Sequence, residues 1–97
     1  MCMKLTTMNR KRLEAEILRK LARHKYWGEK HTSIDNVPKS FKSHLSKEVT
    51  KVTKSLITEG YIIQKQTSYG LQISLNPRKS TEIKQKIREF FTEEYLR

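Results

Sequence analysis

Four stretches of the chain space their apolar residues as helices do, and one alternates as paired strands do. From Asn9 to about Lys25, Leu13, Ile17, Leu18 and Leu21 recur at helical intervals with Ala22 beside them. Asn9 is expected to cap this helix, its side-chain oxygen accepting an orphan backbone N–H. Each residue turns about 100° around the axis, which sets Arg12, Arg19 and Arg23 opposite the leucines. Glu16 shares that face as their partner. These arginines are expected to face solvent or to widen a phosphate contact. Tyr26-Trp27-Gly28 is expected to end the helix, with Gly28 in the left-handed conformation. Tyr26 and Trp27 then either lid the helix end or offer a stacking surface to bases.

A connector from Glu29 leaves room for a short strand at His31-Thr32-Ser33. Ile34 to about Phe41 reads as a short helix capped by Ser33, with Asp35 in its first turn. Pro38 allows only a first turn or a break there. Val37 and Phe41 share its inner side. Ser43 to Glu59 is the longest clean amphipathic stretch, with Leu45, Val49, Val52 and Leu56 on one stripe and Ile57 widening it. Gly60 stops it. The opposite side holds Ser43, Lys47, Thr50, Lys51 and Lys54 and no acid, because Glu48 lies toward the flank.

Two strands follow, Tyr61–Gln66 and Gly70–Leu75. Leu71, Ile73 and Leu75 alternate with Gln72 and Ser74, the period of a half-buried hairpin. Gly70 supplies the positive φ that a short connection needs. Asn76 caps a last helix and Pro77 opens it, where a missing N–H costs nothing. Ile83, Ile87, Phe90 and Phe91 form its apolar side, and the helix is expected to run to about Tyr95.

A lone amphipathic helix cannot bury its stripe, so the helices must pack together and the hairpin must cover the remaining side. The expected fold is mainly α with a small β-hairpin (α+β), a three-helix core plus a hairpin and a C-terminal helix. Residues 1–8 are expected to be disordered and 9–97 to form one domain. That order of elements is the winged helix-turn-helix architecture.

Charge sharpens this picture. Against 10 Asp and Glu stand 21 Lys and Arg, a formal net charge of +11. Such an excess favours a polyanionic partner, nucleic acid before an anionic membrane surface, over a merely solvated basic exterior. The single cysteine, Cys2, forms no internal disulfide, which points to a reducing, cytoplasmic setting. The start, MCMKLTTM, is too polar for a signal peptide, and no stretch approaches the ~20 apolar residues of a membrane span.

Candidate chemistry concentrates in two places. On the 43–59 helix, Lys47, Lys51 and Lys54 can reach phosphates or guanine edges, and Ser43, Ser46 and Thr50 can hydrogen-bond phosphates or base edges. Lysine is a point charge, so positioning on phosphates is expected more than base reading. At the hairpin tip, Lys65, Gln66, Thr67, Ser68 and Tyr69 are the second set. Tyr69 is either a hydroxyl for phosphate or a cross-strand packing residue. Phe90, Phe91, Tyr95 and Leu96 crowd one end of the last helix and are the candidate contacts of a homodimer; sealing of the monomer core is the other reading. No catalytic residue, metal site, cofactor or small-molecule ligand is predicted. His24, His31 and His44 stand apart, and no glycine-rich phosphate loop is present.

Three segments, "KHTSIDNVPKSFKSHLSKEV", "VTKVTKSLITEGYI" and "QTSYGLQISLNP", resemble winged helix-turn-helix DNA-binding proteins. They are similar in particular to the small stand-alone winged-helix regulators of archaea. The resemblance covers roughly residues 31–87 and is most specific at the helix-glycine-strand junction. It implies double-stranded DNA as partner and transcription regulation, with the 43–59 helix in the major groove and the 61–75 wing against the adjacent backbone or minor groove. Two other roles suit the same residues: a winged-helix protein-interaction module, and an RNA-binding or ribosome-associated winged helix.

Overall fold

The computed structural model describes residues 2–91, with side chains from Arg10 onward. Helix α1 (Cys2–Arg23) leads to a short strand β1 (Thr32–Ser33) and a one-turn helix α2 (Asn36–Lys39). A 3-10 turn over Ser43–Leu45 opens helix α3 (Ser46–Thr58). Strands β2 (Ile62–Thr67) and β3 (Gly70–Leu75) follow, then a second 3-10 turn (Pro77–Lys79) and helix α4 (Ser80–Arg88). Among the described residues the fold is α+β, four helices with a three-stranded antiparallel sheet in the order β1-β3-β2. Thr32 stands opposite Ile73 and Ser33 opposite Gln72, so the expected hairpin gains a third strand. The radius of gyration is 13.1 Å, that of one compact body of about this length.

α1 lies at the centre, packed against α3, α4 and β3. Its Ile17, Leu18 and Leu21 meet Val49, Val52 and Leu56 of α3 and Ile83 and Ile87 of α4 in one buried cluster. The sheet closes it with Ile62, Ile73 and Leu75, where Ile62 and Leu75 are direct cross-strand partners. Burying each such side chain stabilises the fold by about 1.5–3 kcal/mol. Thr53 shares the buried side of α3 without penalty, since its hydroxyl donates to the Val49 carbonyl at 2.7 Å.

The junction between α3 and β2 has a specific geometry. Gly60 adopts φ +87°. Its N–H donates to the Ile57 carbonyl, and the Tyr61 N–H reaches back to Leu56, both at 3.0 Å. These two bonds make a Schellman cap, which satisfies the last carbonyls of the helix while reversing the chain. Asn76 then ties this turn to the next element. Its side-chain nitrogen donates to the Gly60 carbonyl at 2.9 Å, and its oxygen accepts from the Arg78 N–H at 3.0 Å.

Several boundaries differ from those the sequence predicts. α1 begins at Cys2, so Asn9 lies inside the helix and is not its cap. The helix ends earlier, at Arg23, and Lys25 takes the left-handed position of its cap with φ +60°; Gly28 is left-handed as expected, at φ +59°, but lies three residues beyond that pivot. The Lys25 N–H donates to Ala22 and the Tyr26 N–H to Leu21, the same two-bond cap made with a lysine at its pivot. α2 is shorter than expected, and Ser33 does not cap it. The Ser33 hydroxyl accepts from the Asp35 N–H at 3.3 Å, outside the helix. α4 ends at Arg88, short of Tyr95; Tyr95 and Leu96 lie outside the described residues. No helix among the described residues is long and apolar enough to cross a membrane.

Candidate nucleic-acid interface

α3 has two unlike sides. Val49, Val52, Thr53 and Leu56 are buried on one. Lys47, Lys51 and Lys54 are exposed on the other, within about 60° of one another around the axis and over about 10 Å of its length. Ser43 and Ser46 are exposed at the near end of this strip. Among the described residues, none of the three lysines takes part in an ion pair. Glu48 and Ser55 lie on the flank, where Ser55 accepts from the Arg10 guanidinium at 3.0 Å and donates to Glu59 at 3.4 Å. Thr50 is half-buried, and its hydroxyl donates to the Ser46 carbonyl at 2.9 Å, leaving only an acceptor for a partner.

β2 and the turn of the β2–β3 hairpin are open to solvent. Only Ile62 of β2 is buried, and Ile63 to Gln66 are exposed. Ser68 and Tyr69 form the turn, and Gly70 follows at φ +110°, where a side chain would be strained. The Thr67 hydroxyl locks the turn by donating to the Gly70 carbonyl at 2.8 Å and accepting from the Tyr69 N–H at 3.2 Å. Thr67 thus shapes the tip, with its hydroxyl engaged there. Tyr69 is 91% exposed, so it makes no cross-strand packing contact and its hydroxyl is presented at the extremity. Lys65 pairs with Gln72, and Gln66 with Leu71. Period-two alternation therefore puts Lys65 on the outer face of the sheet and Gln66 on the face that packs on the helices. The two residues address opposite sides of the ribbon, and Gln64, absent from the sequence-derived set, stands on the same face as Gln66.

The arginine face of α1 is only partly in solvent. Arg12 pairs with Glu16 at 3.4 Å, as the spacing predicts. Arg12 and Arg19 also lie over the Phe91 ring, at 5.3 and 4.3 Å from its centroid, and Arg19 is half-buried there. Phe91 is packed against the core, so this candidate dimer contact already has partners within the monomer. Phe90 is half-buried. Tyr26 and Trp27 are half-buried and packed on the core, as lids would be.

Lys39 is a neighbour of the α3 strip that sequence reasoning passed over. It is exposed at the end of α2 and lines one surface groove together with Ser43 and Ser46. The signal for it is its place beside the turn between the two helices. Among the described residues no three His, Cys, Asp or Glu side chains come together as they would around a metal ion. The chain matches no family model, no curated protein and no solved structure.

Proposed function

We propose that this chain is a winged helix-turn-helix protein that binds double-stranded DNA and regulates transcription. α3 enters the major groove, and the hairpin tip rests against the adjacent backbone or minor groove. The observation that carries this reading is the exposed, acid-free strip of Lys47, Lys51 and Lys54 on a helix whose other side is fully buried. The element order, with β1 joining the hairpin as β1-β3-β2, supports the winged-helix assignment. So does the fit of dimensions: a helix about 10–12 Å across matches a major groove about 12 Å wide. Lysines at the centre of the strip hold phosphates, while Ser43 and Ser46 at its end supply hydroxyls for backbone or base edges. Tyr69 and Ser68 extend the footprint at the tip.

Titration with duplex DNA, duplex RNA and single strands at two salt concentrations tests the proposal. Duplex DNA should bind most tightly. If about six phosphates are neutralised, the log–log salt slope should be roughly −5. Equal affinity for all three would overturn the assignment to duplex DNA, and binding to none would favour a protein partner. Selection of preferred duplexes from a random pool would report half-site symmetry, and so whether two copies bind about 34 Å apart.

A further inference from the structure

A second cationic site lies away from α3 and the hairpin, where the end of α1 meets the start of α4. It is a groove of about 410 Å³ whose walls include Arg23, Lys25, Lys84, Trp27, Pro77 and Ser80. We propose that this groove binds a nucleoside monophosphate, with the phosphate held by Arg23, Lys25 and Lys84 and the planar base against Trp27.

Four observations converge on that ligand. The volume falls within the range of small-molecule sites, about 300–1,000 Å³. The lining holds three cations and no acid, and none of the three cations takes part in an ion pair among the described residues. Cations along one groove favour an anion there, and a phosphate accepts charge-assisted hydrogen bonds from guanidinium and ammonium groups alike. Trp27 and Pro77 supply an apolar wall, and an indole in such a wall is the side chain best suited to pack against a planar ring. The fourth observation is Lys25 itself. Its φ of +60° is a conformation that favours glycine, and strained backbone of this kind concentrates at functional sites. The negative end of the α1 dipole accounts for a cation near that position. It does not account for one on the strained residue, since Lys20 and Arg23 already supply charges in the last turn of the helix. Lysine at the pivot sets an ammonium at the groove. The Ser80 hydroxyl adds a donor for a phosphate or ribose oxygen.

Trp27 is the chain's one tryptophan, so its fluorescence reports on this groove directly. Uridine monophosphate added to the full chain should change that emission saturably, with matching heat in calorimetry. Arg23→Gln with Lys84→Gln should weaken binding about tenfold or more, with melting monitored alongside. Lys47→Glu with Lys51→Glu should leave it within about twofold, which separates this site from the duplex-binding face. Absence of saturable binding in both measurements would overturn the proposal. So would inorganic phosphate binding as tightly as the nucleotide, which would remove the base contact. Equal loss in the Lys47, Lys51 variant would move the ligand to α3, and binding of single-stranded oligonucleotide but not mononucleotide would make the groove a nucleic-acid contact; either result sinks a mononucleotide site.

Discussion

Arg10, Arg12 and Arg19 of α1 and Lys47, Lys51 and Lys54 of α3 each carry one positive charge, and neighbouring residues divide their roles. Arg10 and Arg12 each have a glutamate four residues on, and both ion pairs form, at 3.7 and 3.4 Å. Arg10 also bonds Ser55 across to α3, and Arg12 and Arg19 cover Phe91. A planar guanidinium stacks on a ring and bonds a carboxylate at its edge, so it serves as an adhesive between elements. Lys47, Lys51 and Lys54 have neither an acid at pairing distance nor a ring beneath them among the described residues. Their charge is left for something outside the chain. Counting formal charges therefore overstates the charge that α1 has available more than it does for α3.

The largest expected effect tests the α3 half of this contrast. Lys47→Glu with Lys51→Glu reverses two exposed charges and should lower duplex affinity by about 100-fold or more, since each lost phosphate contact also becomes a repulsion. Thermal melting should shift by less than the equivalent of about 0.5 kcal/mol, because neither side chain packs on the core. Anisotropy titration and a melting curve on the same sample decide it. Unchanged affinity would show that α3 is not the binding element.

Next comes the aromatic that the arginines cover. Phe91→Ala removes a half-buried ring on the core together with two cation–ring contacts. It should destabilise the fold by about 2 kcal/mol, roughly a 10 °C fall in the melting midpoint, and leave duplex affinity unchanged. If Phe91 instead serves a dimer seam, the midpoint of the wild type will depend on protein concentration and the variant's will not.

Which parts of this contrast can be read from sequence follows from the range of each interaction. The stripes Val49-Val52-Leu56 and Ile83-Ile87 are legible because helical rotation alone sorts them. The acid-free lysine strip is legible for the same reason. Gly60 and Asn76-Pro77 are legible because a Schellman cap and an Asn-Pro helix start depend on a few adjacent residues. Gly28 is legible as a left-handed residue, and is one at φ +59°, but Lys25 as the pivot of the helix cap is not, since its residue type does not mark it for that choice. The choice is made by Leu75, whose N–H donates to the Tyr26 carbonyl at 2.7 Å and whose carbonyl accepts from Gly28 at 3.0 Å, which fixes where the chain must leave the helix. The covering of Phe91 was equally hidden, since Arg19 and Phe91 meet only when α4 docks on α1. The engaged Thr67 hydroxyl and the exposure of Tyr69 depend on turn geometry that the residue types leave open.

Lys25→Gly has a smaller effect and tests the lysine whose backbone carries a cost. Glycine takes φ +60° without strain, so the variant should gain about 1 kcal/mol after allowing for its greater freedom when unfolded. Differential scanning calorimetry should show a higher midpoint while mononucleotide binding weakens. A gain in stability with no loss of binding would mean that the strained lysine contributes nothing to the groove.

The smallest effect bears most directly on the division between the two helices. Arg12→Gln removes one half-exposed ion pair, 3.4 Å from Glu16, and one of the two guanidinium contacts to Phe91. Exposed pairs at this spacing contribute only a few tenths of a kcal/mol and an exposed cation–ring contact about as much, so the loss should be about 0.5 kcal/mol. Lys51→Gln removes the same single charge from the chain. If both helices contributed charge only through the net field of the protein, the two variants would weaken duplex binding alike. If Lys51 holds a phosphate and Arg12 holds Glu16 and Phe91, Lys51→Gln should reduce the salt slope by about 1, and Arg12→Gln should leave it unchanged. Measuring both slopes side by side separates contact from background charge, and equal slopes would dissolve the contrast between α1 and α3.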